Sequence, residues 1–131
     1  MADNLLVVRG LKQYYPVKGG LGKEPSYVKA VDNVDFEVRR GEVFGIVGES
    51  GSGKSTIAKM ITHLESITEG QVFLKGKDIT HARGKDLRET YQDIQMVFQM
   101  PMESFDPRCT LGDGIGESLR NMGINRKETR K

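Results

Sequence analysis

The chain has 131 residues, of which 37% are hydrophobic and 29% are charged, and its formal net charge is +2. This length suits one domain, and the composition is that of a soluble globular protein rather than a fibrous or disordered one. The small net charge gives no argument for a nucleic-acid partner, and the single cysteine, Cys109, excludes an internal disulfide. No apolar run approaches the roughly 18 residues that a membrane span needs, so any role at a membrane is expected to be peripheral.

Apolar patterning predicts the elements of the first part of the chain. Residues 5–8 read as a short strand, residues 16–25 as a polar loop, and the alternating residues 34–38 as a strand with one wet face. The run at 43–47 (VFGIV) follows a turn and is apolar on both faces. Such a run is typical of a strand in the middle of a covered, mostly parallel sheet.

Beyond residue 53 the pattern becomes mixed. Ile57, Ile61 and Leu64 recur at helical spacing and predict a helix that packs one apolar stripe on the sheet. Further strands are predicted at 71–74 and 94–98, a polar helix at 85–92, an open loop at 99–108 and a helix at 111–122. This order predicts a mixed α/β domain with an N-terminal β layer.

Residues 48–56 (GESGSGKST) match the phosphate-loop pattern G-x-x-x-x-G-K-[ST] in full. The glycines allow a tight turn whose amide groups form an anion site, and the loop leads into the N-terminus of the next helix. Lys54 is expected to reach the β- and γ-phosphates, and the Ser55 hydroxyl is expected to bind Mg²⁺. The predicted ATP-binding residues of this loop are Gly48, Glu49, Ser50, Gly51, Ser52, Gly53, Lys54, Ser55 and Thr56.

A phosphate loop alone does not separate transport ATPases, small-molecule kinases and GTPases. Kinases of this type usually begin at the strand that leads into the loop. Here two β segments and a long polar loop precede Gly48. The N-terminal β layer therefore argues against a simple kinase.

Four segments, in this order and spacing, resemble the ATP-binding subunits of ATP-binding-cassette (ABC) importers, most closely the oligopeptide and dipeptide group. They are LKQYYPVKGG at 11–20, VKAVDNVDF at 28–36, the phosphate loop at 48–56, and QMVFQMP at 95–101 with SFDPR at 104–108. The resemblance runs from about residue 5 to about residue 119. It implies the N-terminal half of an ABC nucleotide-binding domain of the α/β P-loop NTPase class. That half has an antiparallel β layer, a RecA-like core and the start of a helical subdomain.

The resemblance also assigns roles to residues outside the phosphate loop. Gln99 matches the glutamine of the family's Q-loop, here about residues 99–108, which binds Mg²⁺ and senses the γ-phosphate. An amide oxygen is a suitable ligand for this hard cation. Tyr15 matches the aromatic residue that stacks on adenine, with Tyr14 as the alternative. Met100 stands where the family usually has an aspartate.

Several family elements do not occur in these 131 residues. No L-S-G-G-Q signature, no apolar strand ending in Asp-Glu and no switch histidine follows Gln99. The resemblance thus implies a partial nucleotide-binding domain at 1–131 that holds no catalytic residue and turns over ATP negligibly by itself. Half of a parallel sheet also leaves an open edge and an uncovered apolar face, which predicts self-association or low solubility.

For the parent protein, the resemblance implies an ATPase that uses ATP and Mg²⁺ on the cytoplasmic face of the cell membrane. The implied partners are an integral-membrane permease and a second ATP-binding subunit, with no nucleic acid. The implied solute is an oligopeptide or dipeptide, while nickel, a sugar or another small solute stays open. Two alternatives also stay open: a soluble ABC ATPase without a permease, and a module that only binds nucleotide.

Overall fold

In a computed structural model of the chain, the described residues are 4–17, 26–100, 106, 108–121, 123 and 124. The chain forms two compact units, Met1–Gln95 and Met96–Lys131. The first contains strands β1 (Asn4–Val17), β2 (Ser26–Arg39), β3 (Glu69–Leu74) and β4 (Lys77–Asp78), with helices α1 (Lys54–Ile61) and α2 (Gly84–Asp93). The second contains helix α3 (Leu111–Asn121). No helix among the described residues is long and apolar enough to cross a membrane.

The strands form one antiparallel sheet in the order β2-β1-β3-β4. The predicted antiparallel β layer is therefore confirmed. The predicted strands at 5–8 and 34–38 are parts of β1 and β2, which are both longer than expected. Residues 16 and 17 of the polar loop predicted at 16–25 belong to β1, and residues 18–25 lie outside the described part of the chain.

One apolar core lies between the sheet and helix α1. Ile57 and Met60 are the buried residues of α1 and pack with side chains of all three long strands. Burying one such side chain stabilises a fold by about 1.5–3 kcal/mol. The core consists of Val8, Leu11, Val31, Ile57, Met60, Val72, Leu74 and Ile79.

The predicted apolar stripe of α1 is wrong at its C-terminal end. The helix ends at Ile61, and Leu64 is exposed rather than packed on the sheet. His63 has a positive φ of 56°, which turns the chain out of the helix. The amide groups of Leu64 and Glu65 then donate to the carbonyl oxygen of Lys59, as at a helix C-terminus.

The apolar run at 43–47 was predicted to lie in the middle of a covered sheet, and this prediction is wrong for the described residues. It is not one of the four strands of the sheet. Val43 is 98% exposed and Val47 is 93% exposed. The ring of Phe44 stacks on that of Phe36, with centroids 5.0 Å apart, and holds the run beside β2. A strand needs a hydrogen-bonding neighbour, and the described sheet supplies none to this run.

The run at 94–98 behaves in the same way. It is also absent from the described sheet, and Val97 is 91% exposed.

By contrast, the predicted helices at 85–92 and 111–122 are confirmed as α2 and α3. At the start of α3 the Thr110 hydroxyl accepts a hydrogen bond from the Asp113 amide at 3.2 Å and donates to its carboxylate at 2.8 Å. The first of these bonds gives one free backbone amide of the helix N-terminus a partner.

The environment of His63 leads to a prediction of how the stability of the fold depends on pH. Burial lowers the pKa of His63 below its ordinary 6.5, and the nearby His81 lowers it further. The unfolded chain thus binds more protons than the folded one in the window below pH 6.5. We expect the free energy of unfolding to have its full value above pH 6.5 and to decrease as the pH falls below 6.5.

The matching variant is His63→Asn, because asparagine tolerates the left-handed backbone and does not titrate. Urea unfolding at about pH 7.5 and about pH 5 measures the effect, and the wild-type loss should shrink in the variant. An equal loss in both proteins would contradict the role of His63.

Candidate phosphate-binding site

The predicted phosphate loop lies at the N-terminus of α1, which begins at Lys54. No side chain caps this helix end, and no acidic residue occupies its first turn. The first amide groups of a helix have no partners within the helix, and the helix dipole places partial positive charge there. The site therefore favours an anion.

The Lys54 ammonium lies within the loop. It donates hydrogen bonds to the carbonyl oxygens of Gly48 at 2.9 Å and Glu49 at 2.5 Å, and to the Ser52 hydroxyl at 3.2 Å. All three acceptors are oxygen atoms of the loop itself. Phosphate oxygens offer the same ammonium stronger, charged acceptors, so an entering phosphate group competes with the loop for Lys54.

Gly53 joins the loop to the sheet. Its φ of 90° is in the left-handed region, and an added Cβ would lie well inside 3.0 Å of the Ala30 carbonyl oxygen. The same Cβ would lie 3.5 Å from a methyl group of Val31. Only glycine fits here, because the loop approaches the backbone of β2 directly. Nothing in the sequence pointed to Ala30 at this site, since an approach made through the backbone leaves no mark in the residue type.

The two candidate adenine-stacking residues lie on opposite faces of the sheet. Leu11 and Gln13 are buried, so strand alternation places Tyr15 on their face and Tyr14 on the other. Val31, which pairs with Gln13, shares the buried face, and one of its methyl groups would lie 3.5 Å from a Cβ added at Gly53. Tyr15 is thus on the face that holds the phosphate loop. Partial burial raises the pKa of Tyr15, and Glu65 beside it raises that pKa further.

The two candidate Mg²⁺ ligands lie in different units. Ser55 is exposed in the first turn of α1, whereas Gln99 is exposed in the second unit. No group of three or more His, Cys, Asp or Glu side chains among the described residues could hold a metal. Mg²⁺ commonly binds through one or two protein ligands together with phosphate oxygens, and the Ser55 hydroxyl suits such a site.

Only part of the predicted Q-loop can be placed. Gln99 and Met100 are both exposed, whereas residues 101–105 and 107 lie outside the described part of the chain. Further along, Asp106 and Arg108 form an ion pair at 2.8 Å. The phosphate-loop residues are therefore brought together within the first unit, and Gln99 belongs to the other.

The antiparallel β layer, the phosphate loop and the helix that follows it define a P-loop nucleotide-binding domain. The sequence profile of the ABC transporter family matches residues 31–130. The chain belongs to the ABC transporter family.

Among curated relatives, the oligopeptide transport ATP-binding protein OppF of Lactococcus lactis subsp. lactis is 43% identical over 120 residues. The oligopeptide transport ATP-binding protein AppF of Bacillus subtilis is 42% identical, and the dipeptide transport ATP-binding protein DppF of Haemophilus influenzae is 41% identical. These matches cover 91%, 98% and 97% of this chain, in that order. The chain spans only 38–40% of the length of these relatives.

Two solved structures have a similar fold. The post-hydrolysis dimer of the ATP-binding cassette MJ0796 bound to ADP and Pi aligns with a TM-score of 0.73 and 27% identity. That alignment covers 95% of this chain and 52% of the cassette. A nucleotide-free ATP-binding cassette from an ABC transporter aligns with a TM-score of 0.60 and 26% identity, over 98% of this chain and 48% of that chain. The predicted fold class is confirmed.

Proposed function

We propose that this chain is the ATP-binding part of an ABC importer subunit that couples ATP binding and hydrolysis to uptake of an oligopeptide or dipeptide. One observation carries the proposal: the Lys54 ammonium lies inside a glycine-rich loop at an uncapped helix N-terminus. The peptide class is supported by relatives named as oligopeptide and dipeptide transport ATP-binding proteins.

In this proposal residues 48–56 bind the phosphates and Tyr15 stacks on the adenine. Loop amides and the Lys54 ammonium hold the negative charge, while the Ser55 hydroxyl and the Gln99 side-chain oxygen hold Mg²⁺. Bound Mg²⁺ would supply further positive charge to the phosphates. Lys54 would exchange its bonds to the Gly48 and Glu49 carbonyls for bonds to phosphate oxygens.

The proposed partners are an integral-membrane permease and a second ATP-binding subunit, on the cytoplasmic face of the cell membrane. The dimeric state of the similar MJ0796 cassette supports the second subunit. No Asp-Glu pair after an apolar strand and no L-S-G-G-Q segment occurs in the 131 residues. For this reason we expect the chain alone to bind ATP without efficient hydrolysis.

Substitution Lys54→Ala tests nucleotide binding. Hydrogen bonds to charged groups are worth about 1.5–3 kcal/mol, so the variant should bind MgATP about 10- to 100-fold more weakly. Isothermal titration calorimetry measures the dissociation constant directly. Circular dichroism should confirm that the variant is folded.

Lys59→Ala is the matched control. Lys59 is exposed in the last turn of the same helix, so this change removes the same charge away from the loop. We expect its MgATP affinity to stay within about twofold of wild type. Equal weakening in both variants, or no binding by the wild type, would refute the proposed site. Steady ATP hydrolysis by the purified chain that disappears in Lys54→Ala would contradict the binding-only expectation.

A further inference from the structure

Three side chains interlock on the face of the sheet opposite the phosphate loop. The Tyr14 hydroxyl donates a hydrogen bond to the Asp32 carboxylate. The Lys29 ammonium forms an ion pair with the same carboxylate at 3.2 Å and lies 5.2 Å from the centre of the Tyr14 ring. Tyr14, Lys29 and Asp32 are here called the hairpin clasp, because they tie β1 to β2 beyond the backbone ladder.

The clasp spans an irregular part of that ladder. Gln13 pairs with Val31, but the next residue of β1, Tyr14, pairs with Lys29. Ala30 is therefore an extra residue on β2, as in a β-bulge. Lys29 lies just before the bulge and Asp32 just after it, so their ion pair bridges it.

The bulged residue is the one that contacts the phosphate loop. The Ala30 carbonyl oxygen closes against Gly53, and the side chain of Val31 lies beside the same glycine. A bulge re-aims the backbone locally, and this bulge aims the Ala30 carbonyl at the N-terminus of α1. A change in the bulge thus moves β2 relative to the loop.

The same place in β1 carries the proposed base-stacking residue. Tyr15 directly follows Tyr14 and faces the other side of the sheet. Tyr15 lies two residues beyond Gln13, which is about 7 Å along the strand. Gln13 is the residue that pairs with Val31. Holding Tyr14 from the opposite face therefore holds the backbone position from which the Tyr15 ring projects.

The charges around the clasp favour the ionised form of Asp32, so its bonds to Tyr14 and Lys29 are kept at neutral pH. The Tyr14 hydroxyl and the Lys29 ammonium lower the pKa of Asp32, which keeps its carboxylate ionised. Lys12 is the further cation that faces this group, and it forms an ion pair with Glu69 at 2.6 Å. Among the described residues, Asp32 accepts hydrogen bonds from the two other members of the clasp.

We propose that Asp32 is a positioning residue for the nucleotide base: through Tyr14 and Lys29 it holds the bulge at Ala30, and the bulge sets the distance between the Tyr15 ring and the phosphate loop. This proposal rests on the proposed nucleotide-binding function. It separates the two neighbouring tyrosines by role, with Tyr15 contacting the base and Tyr14 holding the strand.

Two probes distinguish positioning from general damage. MgATP reports on the phosphate loop and the base together, whereas inorganic tripolyphosphate reports on the loop alone. Stacking of a base on an aromatic ring is commonly worth about tenfold in affinity. Asp32→Ala should weaken MgATP binding by about tenfold and leave tripolyphosphate binding within about twofold.

A double-mutant cycle with Tyr15→Ala completes the test. If Asp32 acts through Tyr15, the double variant should bind MgATP no more weakly than Tyr15→Ala alone. Asp32→Asn, which keeps an oxygen acceptor for Tyr14, should recover part of the lost affinity. The matched control is Asp35→Ala on the same strand, where the carboxylate accepts the Gly10 amide at 2.9 Å, and its MgATP affinity should match wild type within about twofold.

The possible failures are distinct. Additive effects of Asp32→Ala and Tyr15→Ala, or equal weakening of both probes, would overturn the positioning role while leaving nucleotide binding intact. A wild-type chain that binds neither probe would overturn the proposed function itself. Thermal melting of each variant shows whether it is folded at the temperature of the titration.

Discussion

Replacing Gly53 with alanine is expected to lower the free energy of unfolding by about 3 kcal/mol or more and to abolish phosphate binding. A left-handed backbone costs an ordinary residue about 1–2 kcal/mol. The new Cβ would also meet the Ala30 carbonyl oxygen well inside 3.0 Å. That oxygen belongs to a paired strand, so the clash must shift α1 away from the sheet. Urea unfolding measures the first effect, and titration with tripolyphosphate measures the second.

Two other glycines provide controls for this result. Gly41 has a positive φ of 73° and no atom within 4 Å of an added Cβ, so Gly41→Ala should cost only about 1–2 kcal/mol. Gly70 has a φ of 100°, and its added Cβ would lie 2.5 Å from the Gly10 carbonyl oxygen, within the sheet. Gly70→Ala should therefore destabilise the protein while its folded fraction still binds tripolyphosphate. Unchanged phosphate binding in Gly53→Ala would contradict the assigned geometry.

Replacing Val43 and Val47 together with lysine is expected to abolish self-association without loss of stability. These side chains are 98% and 93% exposed, so they contribute little to folding, and the change in unfolding free energy should stay within about 0.5 kcal/mol. An exposed, uncharged apolar run favours association with a second chain, and charge on it opposes that association. Sedimentation velocity over a range of concentrations measures the association.

Met60→Ala serves as the reference variant for a large loss of stability. Met60 is fully buried in the core, and its truncation should cost about 2–5 kcal/mol. A monomeric wild-type chain at every concentration would contradict the association. Unfolding of the double lysine variant would instead mean that residues 43–47 are packed in solution.

Local features of the sequence predicted the phosphate loop of the candidate site. The phosphate loop is nine contiguous residues whose backbone conformation and charge depend on their own glycines and on Lys54. Such a loop needs little from the rest of the chain, so its position before α1 was predictable. The antiparallel layer was predictable for a related reason, because the alternating pattern in 34–38 marks one wet face.

Other features depended on contacts between distant residues. The run at 43–47 has the composition of a central strand, but a strand is defined by its neighbours, and the described sheet contains none for it. The helix was expected to continue to Leu64, yet the backbone of His63 ends it earlier. Residue type alone does not encode such a turn when the residue is not glycine.

By itself the sequence determined the class of protein and the identity of its phosphate loop, because both follow from a contiguous motif and the order of four segments. The tertiary structure decided which tyrosine faces that loop, and it revealed Ala30 as the contact of Gly53. The physical reason is that both depend on contacts across the sheet. Burial of Leu11 and Gln13 fixes which face of β1 carries Tyr15, and the bulge on β2 brings Ala30 to Gly53.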